Sequence, residues 1–116
     1  MKSSIWAKLL SIPILLVTVN ALSQEATLQC DIGPATREFG GYEWLIYSCS
    51  DNATIVVVSA PGNPAMPFYF SLSPDGDGYR LLGEGNGDQS VTQATSESLA
   101  ALSLQDIAEL IEATKK

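Results

Sequence analysis

The chain has 116 residues, 13 acidic against 6 basic, no His, and a formal net charge of −7. That length suits one small domain, and the acidic balance excludes nucleic acid and anionic lipid as natural partners. The missing His removes the commonest general base, and with only Cys30 and Cys49 for sulfur ligands, zinc sites of the usual kind are excluded too.

Residues 1–23 read as a cleavable signal peptide. Lys2 and Lys8 are the only charges before Glu25, the apolar run Leu9 to Val19 follows Lys8, and Ala21-Leu22-Ser23 presents small residues where a peptidase would cut. Cleavage after Ser23 is expected, with cleavage after Ala21 the close alternative. A membrane anchor is the rival reading. It needs about 20 apolar residues, and Pro13 stands in the middle of a shorter run. Processing would leave one domain over 24–116, 93 residues (116 less 23), with Arg37, Arg80, Lys115 and Lys116 against 13 acids, a net charge of −9. The expected location is the periplasm or the extracellular space, with no membrane attachment once the signal is removed.

In that compartment an even cysteine count is expected to pair, so Cys30 and Cys49 form one disulfide. Closing a loop of that size would add about 3 kcal/mol by the chain-entropy argument.

In chain order, Thr27 to Cys30 reads as a short first strand. Residues 31–41, with Gly33-Pro34 and Gly40-Gly41, read as a loop. Tyr42 to Cys49 is aromatic and branched, hence a strand. Ser50-Asp51-Asn52 is a turn, and Ala53 to Ser59, carrying Ile55-Val56-Val57-Val58, is the strongest strand signal. Its unbroken apolar run predicts a central strand buried on both faces. Asn52-Ala53-Thr54 also fits an N-glycosylation acceptor, a pattern frequent by chance.

Residues 60–67, Ala-Pro-Gly-Asn-Pro-Ala-Met-Pro, read as a stiff extended loop kept out of any ladder by its prolines. Phe68 to Leu72 is the next strand, Asp75-Gly76-Asp77-Gly78 a hairpin turn, and Tyr79 to Leu82 the returning strand. Gly83 to Asp88 reads as a flexible exit. The Asp75–Asp77 turn lacks the later ligands of a calcium loop, and Gly83–Asp88 is a single unrepeated glycine-rich stretch, so neither is expected to hold a metal.

From Ser90 the period lengthens to that of a helix. Ser90 with Gln93 resembles a capping box, and Val91, Ala94, Thr95, Leu99 and Leu102 share a stripe. Ser103 with Asp106 opens a second helix, with Leu104, Ile107, Ala108 and Ile111 along one side. Strands first and helices last argue an α+β fold: a small antiparallel meander of four to five strands, two C-terminal helices packed on one face, one disulfide.

Cys30-Asp31-Ile32-Gly33-Pro34, Trp44 to Cys49, Val57 to Ala65 and Pro67 to Phe70 resemble a family of small exported bacterial proteins of unassigned function. The resemblance implies a periplasmic setting and carries no site residues. The chain also looks like small periplasmic lysozyme inhibitors in type: acidic, disulfide-closed, strand-rich, with Tyr47-x-Cys49 before a turn.

No catalytic motif, cofactor motif or metal set is present in the sequence. The expected function is a non-catalytic binding or inhibitor-type module for a basic exported or envelope protein. Its contact surface would be the loop and strand residues Pro61, Pro64, Met66, Phe68 and Tyr69, where a stiff loop loses little entropy on binding. The alternatives are a structural envelope component and, third, a small enzyme using paired carboxylates.

Overall fold

From Ile32 onward the chain runs back and forth through five antiparallel strands and then lays two helices against them. The computed structural model describes residues 27–116; the signal-peptide reading of 1–23 lies outside the described residues. The elements are β1 (Ile32–Phe39), β2 (Tyr42–Ser48), β3 (Ile55–Ser59), β4 (Phe68–Asp75), β5 (Gly78–Gly85), α1 (Gln89–Ala100) and α2 (Leu104–Thr114). The sheet order is β1-β2-β3-β4-β5, a meander, so β3 is central and β1 and β5 are edges. The expected α+β meander with two C-terminal helices is the observed fold.

The first strand was expected at Thr27–Cys30 and a loop over 31–41; instead the strand is Ile32–Phe39. Gly33 and Pro34 do not stop it, because it is an edge and its register shifts between Ile32 and Ala35, so Pro34 falls in the irregularity. Beyond it, Ala35 and Phe39 pack against the core while Thr36 and Glu38 alternate to the other face. Gly40 and Gly41, both at positive φ (63° and 88°), close the β1–β2 hairpin in two residues, as a tight turn of the favoured hand requires.

The turn between β2 and β3 is built on Asp51. Its carboxylate accepts from the amides of Ala53 (3.0 Å) and Thr54 (2.9 Å) and from the Thr54 hydroxyl (2.6 Å). Cys49 follows β2 and bonds to Cys30, with an S–S distance of 2.04 Å, tying the entering chain to this end of the sheet.

The segment 60–67 is folded, not extended. Asn63 is buried at its centre, donating to the Glu43 carbonyl (2.9 Å) and accepting from the Ala65 amide (2.8 Å), while backbone bonds from Asn63 to Ala60 and from Met66 to Asn63 make two successive turns. Proline lacks a donor but keeps its acceptor: the Pro64 and Pro67 carbonyls accept from Asp88 and Asn86 (3.2 and 3.0 Å). The exit Gly83–Asp88 is therefore ordered. Gly83 and Gly85 finish β5, where a Cβ on Gly83 would stand 3.0 Å from the rings of Phe68 and Phe70.

One face of the sheet carries Trp44, Ile46, Ile55, Val57, Phe70 and Leu72, and the helices cover it with Val91, Leu99, Ile107, Leu110 and Ile111. Each such side chain contributes roughly 1.5–3 kcal/mol by leaving water. Trp44 is fully buried, with its ring centroid 5.5 Å from that of Phe70 and its indole N–H donating to the Phe39 carbonyl (3.1 Å). The buried stripe of α2 is Ile107, Leu110, Ile111 and Thr114, one step round from the expected one; Leu104 is 59% exposed and Ala108 exposed. Both sets obey helical spacing, and the rotation of the helix on the sheet selects between them.

The Ser103–Asp106 capping box forms as expected. The cap of α1 is Asp88 rather than Ser90, its carboxylate accepting from the amides of Ser90 (2.9 Å) and Val91 (3.3 Å). A charged acceptor at the positive end of the helix dipole is the stronger cap, and it starts the helix at Gln89, two residues earlier than a Ser90 cap would.

Candidate binding face

The two helices lie on the same side, so the other face of the sheet has no layer over it among the described residues. The alternation of each strand decides what stands there. Trp44 and Ile46 point to the helices, so Leu45 and Tyr47 point away; Ile55 and Val57 point in, so Val56 and Val58 point out. The β3 run, read as buried on both faces, is buried on one only, and Val56 and Val58 are half-buried.

The register sets these outward residues in rows across the sheet. Thr36, Leu45, Val58, Tyr69 and Glu84 form one row, and Tyr47, Val56, Ser71 and Leu82 the next. The middle of the face is aliphatic and aromatic; carboxylates stand at its margins. At one corner Glu38 and Glu43 are direct cross-strand partners, a like-charge pairing that costs stability unless a cation lies nearby. At the other, the Tyr69 hydroxyl donates to the Glu84 carboxylate. That bond, with the charge behind it, holds the Tyr69 hydroxyl above its ordinary pKa.

Against this end of the face lies a depression of about 770 Å³, walled by Val56 and Val58, by Met66 to Tyr69, and by Glu84 to Asn86. Met66 is 50% exposed and Tyr69 40%. Of the residues expected at a contact surface, Met66, Phe68 and Tyr69 border this one depression. Phe68 turns partly inward, its ring centroid 4.9 Å from that of Phe70. Pro61 and Pro64 do not join them. Pro61 borders a smaller hollow of about 240 Å³ with Glu38, Tyr42 and Glu43, and Pro64 is exposed, with its carbonyl bonded to Asp88.

Sequence reasoning missed Leu45, Tyr47, Val56, Val58, Leu82 and Glu84. The signal was present in β2 and β3, where residues of both parities are apolar. Such strands need cover on two sides, and the helices among the described residues supply it on one.

Neither acidic loop holds a cation set: among the described residues no group of three or more His, Cys, Asp or Glu side chains is placed to bind a metal. Asp75-Gly76-Asp77-Gly78 is a tight turn with Asp75 and Gly78 paired, and Asp88 is engaged as a helix cap. Both cysteines are in the disulfide, and no helix among the described residues is long and apolar enough to cross a membrane.

Fold and site together define a class: a disulfide-closed α+β domain with helices on one side of a five-stranded meander and an uncovered, acid-rimmed apolar face on the other. No protein-family model, curated protein or solved structure matches the chain.

Proposed function

We propose that this protein is a non-catalytic binding module of an exported compartment, and that the uncovered sheet face is its contact surface for a basic exported or envelope protein. One observation carries the reading: Leu45, Tyr47, Val56, Val58, Tyr69 and Leu82 share a sheet face with no helix over it among the described residues. A continuous apolar face is the usual mark of an interaction site. The carboxylates of Glu38, Glu43 and Glu84 at its margin, and the acidic chain behind them, favour a cationic partner and speed its approach. The disulfide supports an oxidising compartment. A binding rather than catalytic role accords with a chain that has no His and keeps both cysteines in a disulfide.

The test is calorimetric titration of a basic secreted protein, lysozyme being the first probe, at low and at high salt. Binding at low salt that weakens with salt is expected. Met66→Ala with Tyr69→Ala, and separately Val58→Lys, should weaken it at least tenfold, while Gln105→Ala on the helix side leaves it unchanged. A verified complex indifferent to all the face substitutions would remove this surface from consideration. A panel of basic exported proteins that all fail to bind would remove the reading.

A further inference from the structure

The two edges of the sheet are not alike. On β1, Pro34 and the register shift between Ile32 and Ala35 interrupt the strand, the ordinary way of blunting an edge. β5 has no such device. It pairs with β4 without a break, from Phe68 opposite Gly85 to Asp75 opposite Gly78, and contains no proline. Among the described residues, no backbone bond is made from β5 on the side away from β4. An unbroken edge of this length is a template for another strand.

We propose that β5 pairs antiparallel with β5 of a second copy, about a twofold axis through Leu82. The side chains of the edge choose both the occupant and the register. An axis perpendicular to the sheet keeps the two open faces on the same side, so only residues of the same face stand opposite one another. On the open face β5 presents Arg80, Leu82 and Glu84. Centred on Leu82, the pairing sets Arg80 of each copy against Glu84 of the other, and Leu82, 55% exposed in one chain, against its own copy. Centred on Arg80 or on Glu84 it would oppose like charges. Centred on Leu81 it would set Arg80 against Leu82, and centred on Gly83 it would set Leu82 against Glu84. One register alone matches charge with charge and apolar with apolar, and opposite charges across a strand pair stabilise it.

The helix face agrees with the same register. There Leu81 stands opposite Gly83 of the second copy and Tyr79 opposite Gly85, large against absent side chains. The result is a ten-stranded sheet with its two open faces joined side by side across the Leu82 pair. Leu82 and Glu84 belong both to this edge and to the margin of the proposed partner face, while Leu45, Tyr47, Val56, Val58 and Tyr69 stay open in the pair, so neither proposal requires the other.

Sedimentation equilibrium of the purified, disulfide-closed protein at micromolar concentration tests the proposal. Twice the chain mass is expected. Arg80→Glu alone and Glu84→Arg alone each place like charges at both contacts and should weaken association about tenfold or more. Both residues are exposed, so the variants should keep the native circular dichroism. Mixing the two single variants opposes acid to base at every contact again and should restore a dimer, as should the doubly reversed chain with itself. A native protein that is monomeric throughout, single variants as dimeric as the native chain, or folded single variants that stay apart when mixed would each overturn the pairing.

Discussion

The hydroxyl of Ser48, at the end of β2, and the hydroxyl of Thr114, in the last turn of α2, lie 2.6 Å apart, with the two residues 0% and 4% exposed. The Thr114 hydroxyl also donates to the carbonyl of Ile111 (2.6 Å). Ser48 therefore donates to Thr114, and a two-step chain pins the end of the helix to the sheet. Thr114→Val would keep the volume and strand the Ser48 hydroxyl in the core, at a cost of about 1–3 kcal/mol. Ser48→Ala leaves Thr114 its carbonyl partner and should cost about 1 kcal/mol. The double variant should be no less stable than Thr114→Val alone, the mark of a coupled pair. Urea denaturation of the three variants checks this; strict additivity would mean that the two hydroxyls act independently.

Gly40 and Gly41 differ although both close the same turn. A Cβ on Gly40 would stand 3.0 Å from the Thr95 amide nitrogen of α1, whereas one on Gly41 would meet nothing within 4 Å. Gly41→Ala should cost about 1 kcal/mol for its left-handed backbone. Gly40→Ala adds a collision with α1 and should cost clearly more, about 2–4 kcal/mol in all. Thermal unfolding of the two variants would show the difference, and equal melting temperatures would contradict the packing of α1 on this turn.

The disulfide closes a loop with a sequence separation of 19. Its reduction should lower stability by about 2–5 kcal/mol, as for other small bridged domains. Denaturation with and without reductant measures it. No shift in the midpoint would show that the Asp51 turn holds this end of the sheet unaided.

Acid should destabilise the fold through three carboxylates held below their ordinary pKa. At Asp51, burial pushes the value up, and hydrogen bonds from the Thr54 hydroxyl and from backbone amides outweigh it. At Asp88 the Ser90 hydroxyl and the amides of Val91 and Ser90 lower it, and at Asp106 the Ser103 amide and hydroxyl do so. The folded values lie below the unfolded value of 3.8, so the stabilisation is present above that pH and is lost as pH falls through the folded values. Melting temperature followed from neutral pH into acid should fall chiefly below about pH 4. Asp88→Asn, which can still cap, should flatten part of that decline.

What the sequence by itself determined is local. The aromatic and branched run of Tyr42–Cys49, the alternation of Phe68–Leu72, the glycine-bearing turn at Asp75–Gly78 and the Ser103–Asp106 box are visible because each depends on residues a few positions apart. The change of period after Asp88 announces the helices, and strands before helices announce the α+β class, for the same reason. Tertiary structure decided the rest. Ile32–Phe39 becomes a strand because β2 pairs with it, and Pro34 is tolerated only because nothing pairs on its far side among the described residues. The 60–67 segment folds around Asn63 because the Glu43 carbonyl, 20 residues away in sequence, accepts its amide. Ile107, Leu110 and Ile111 face inward, rather than Leu104 and Ala108, because the sheet and the Ser48 hydroxyl set the rotation of α2. The same holds for the candidate site. Apolar residues of both parities in β3 are plain in the sequence, but periodicity assigns them to two faces without saying which one the helices will take. That choice rests on contacts between residues far apart in the chain, Trp44 and Phe70 with the buried stripes of α1 and α2. It is the choice that leaves Val56, Val58, Tyr69 and Leu82 on the uncovered face.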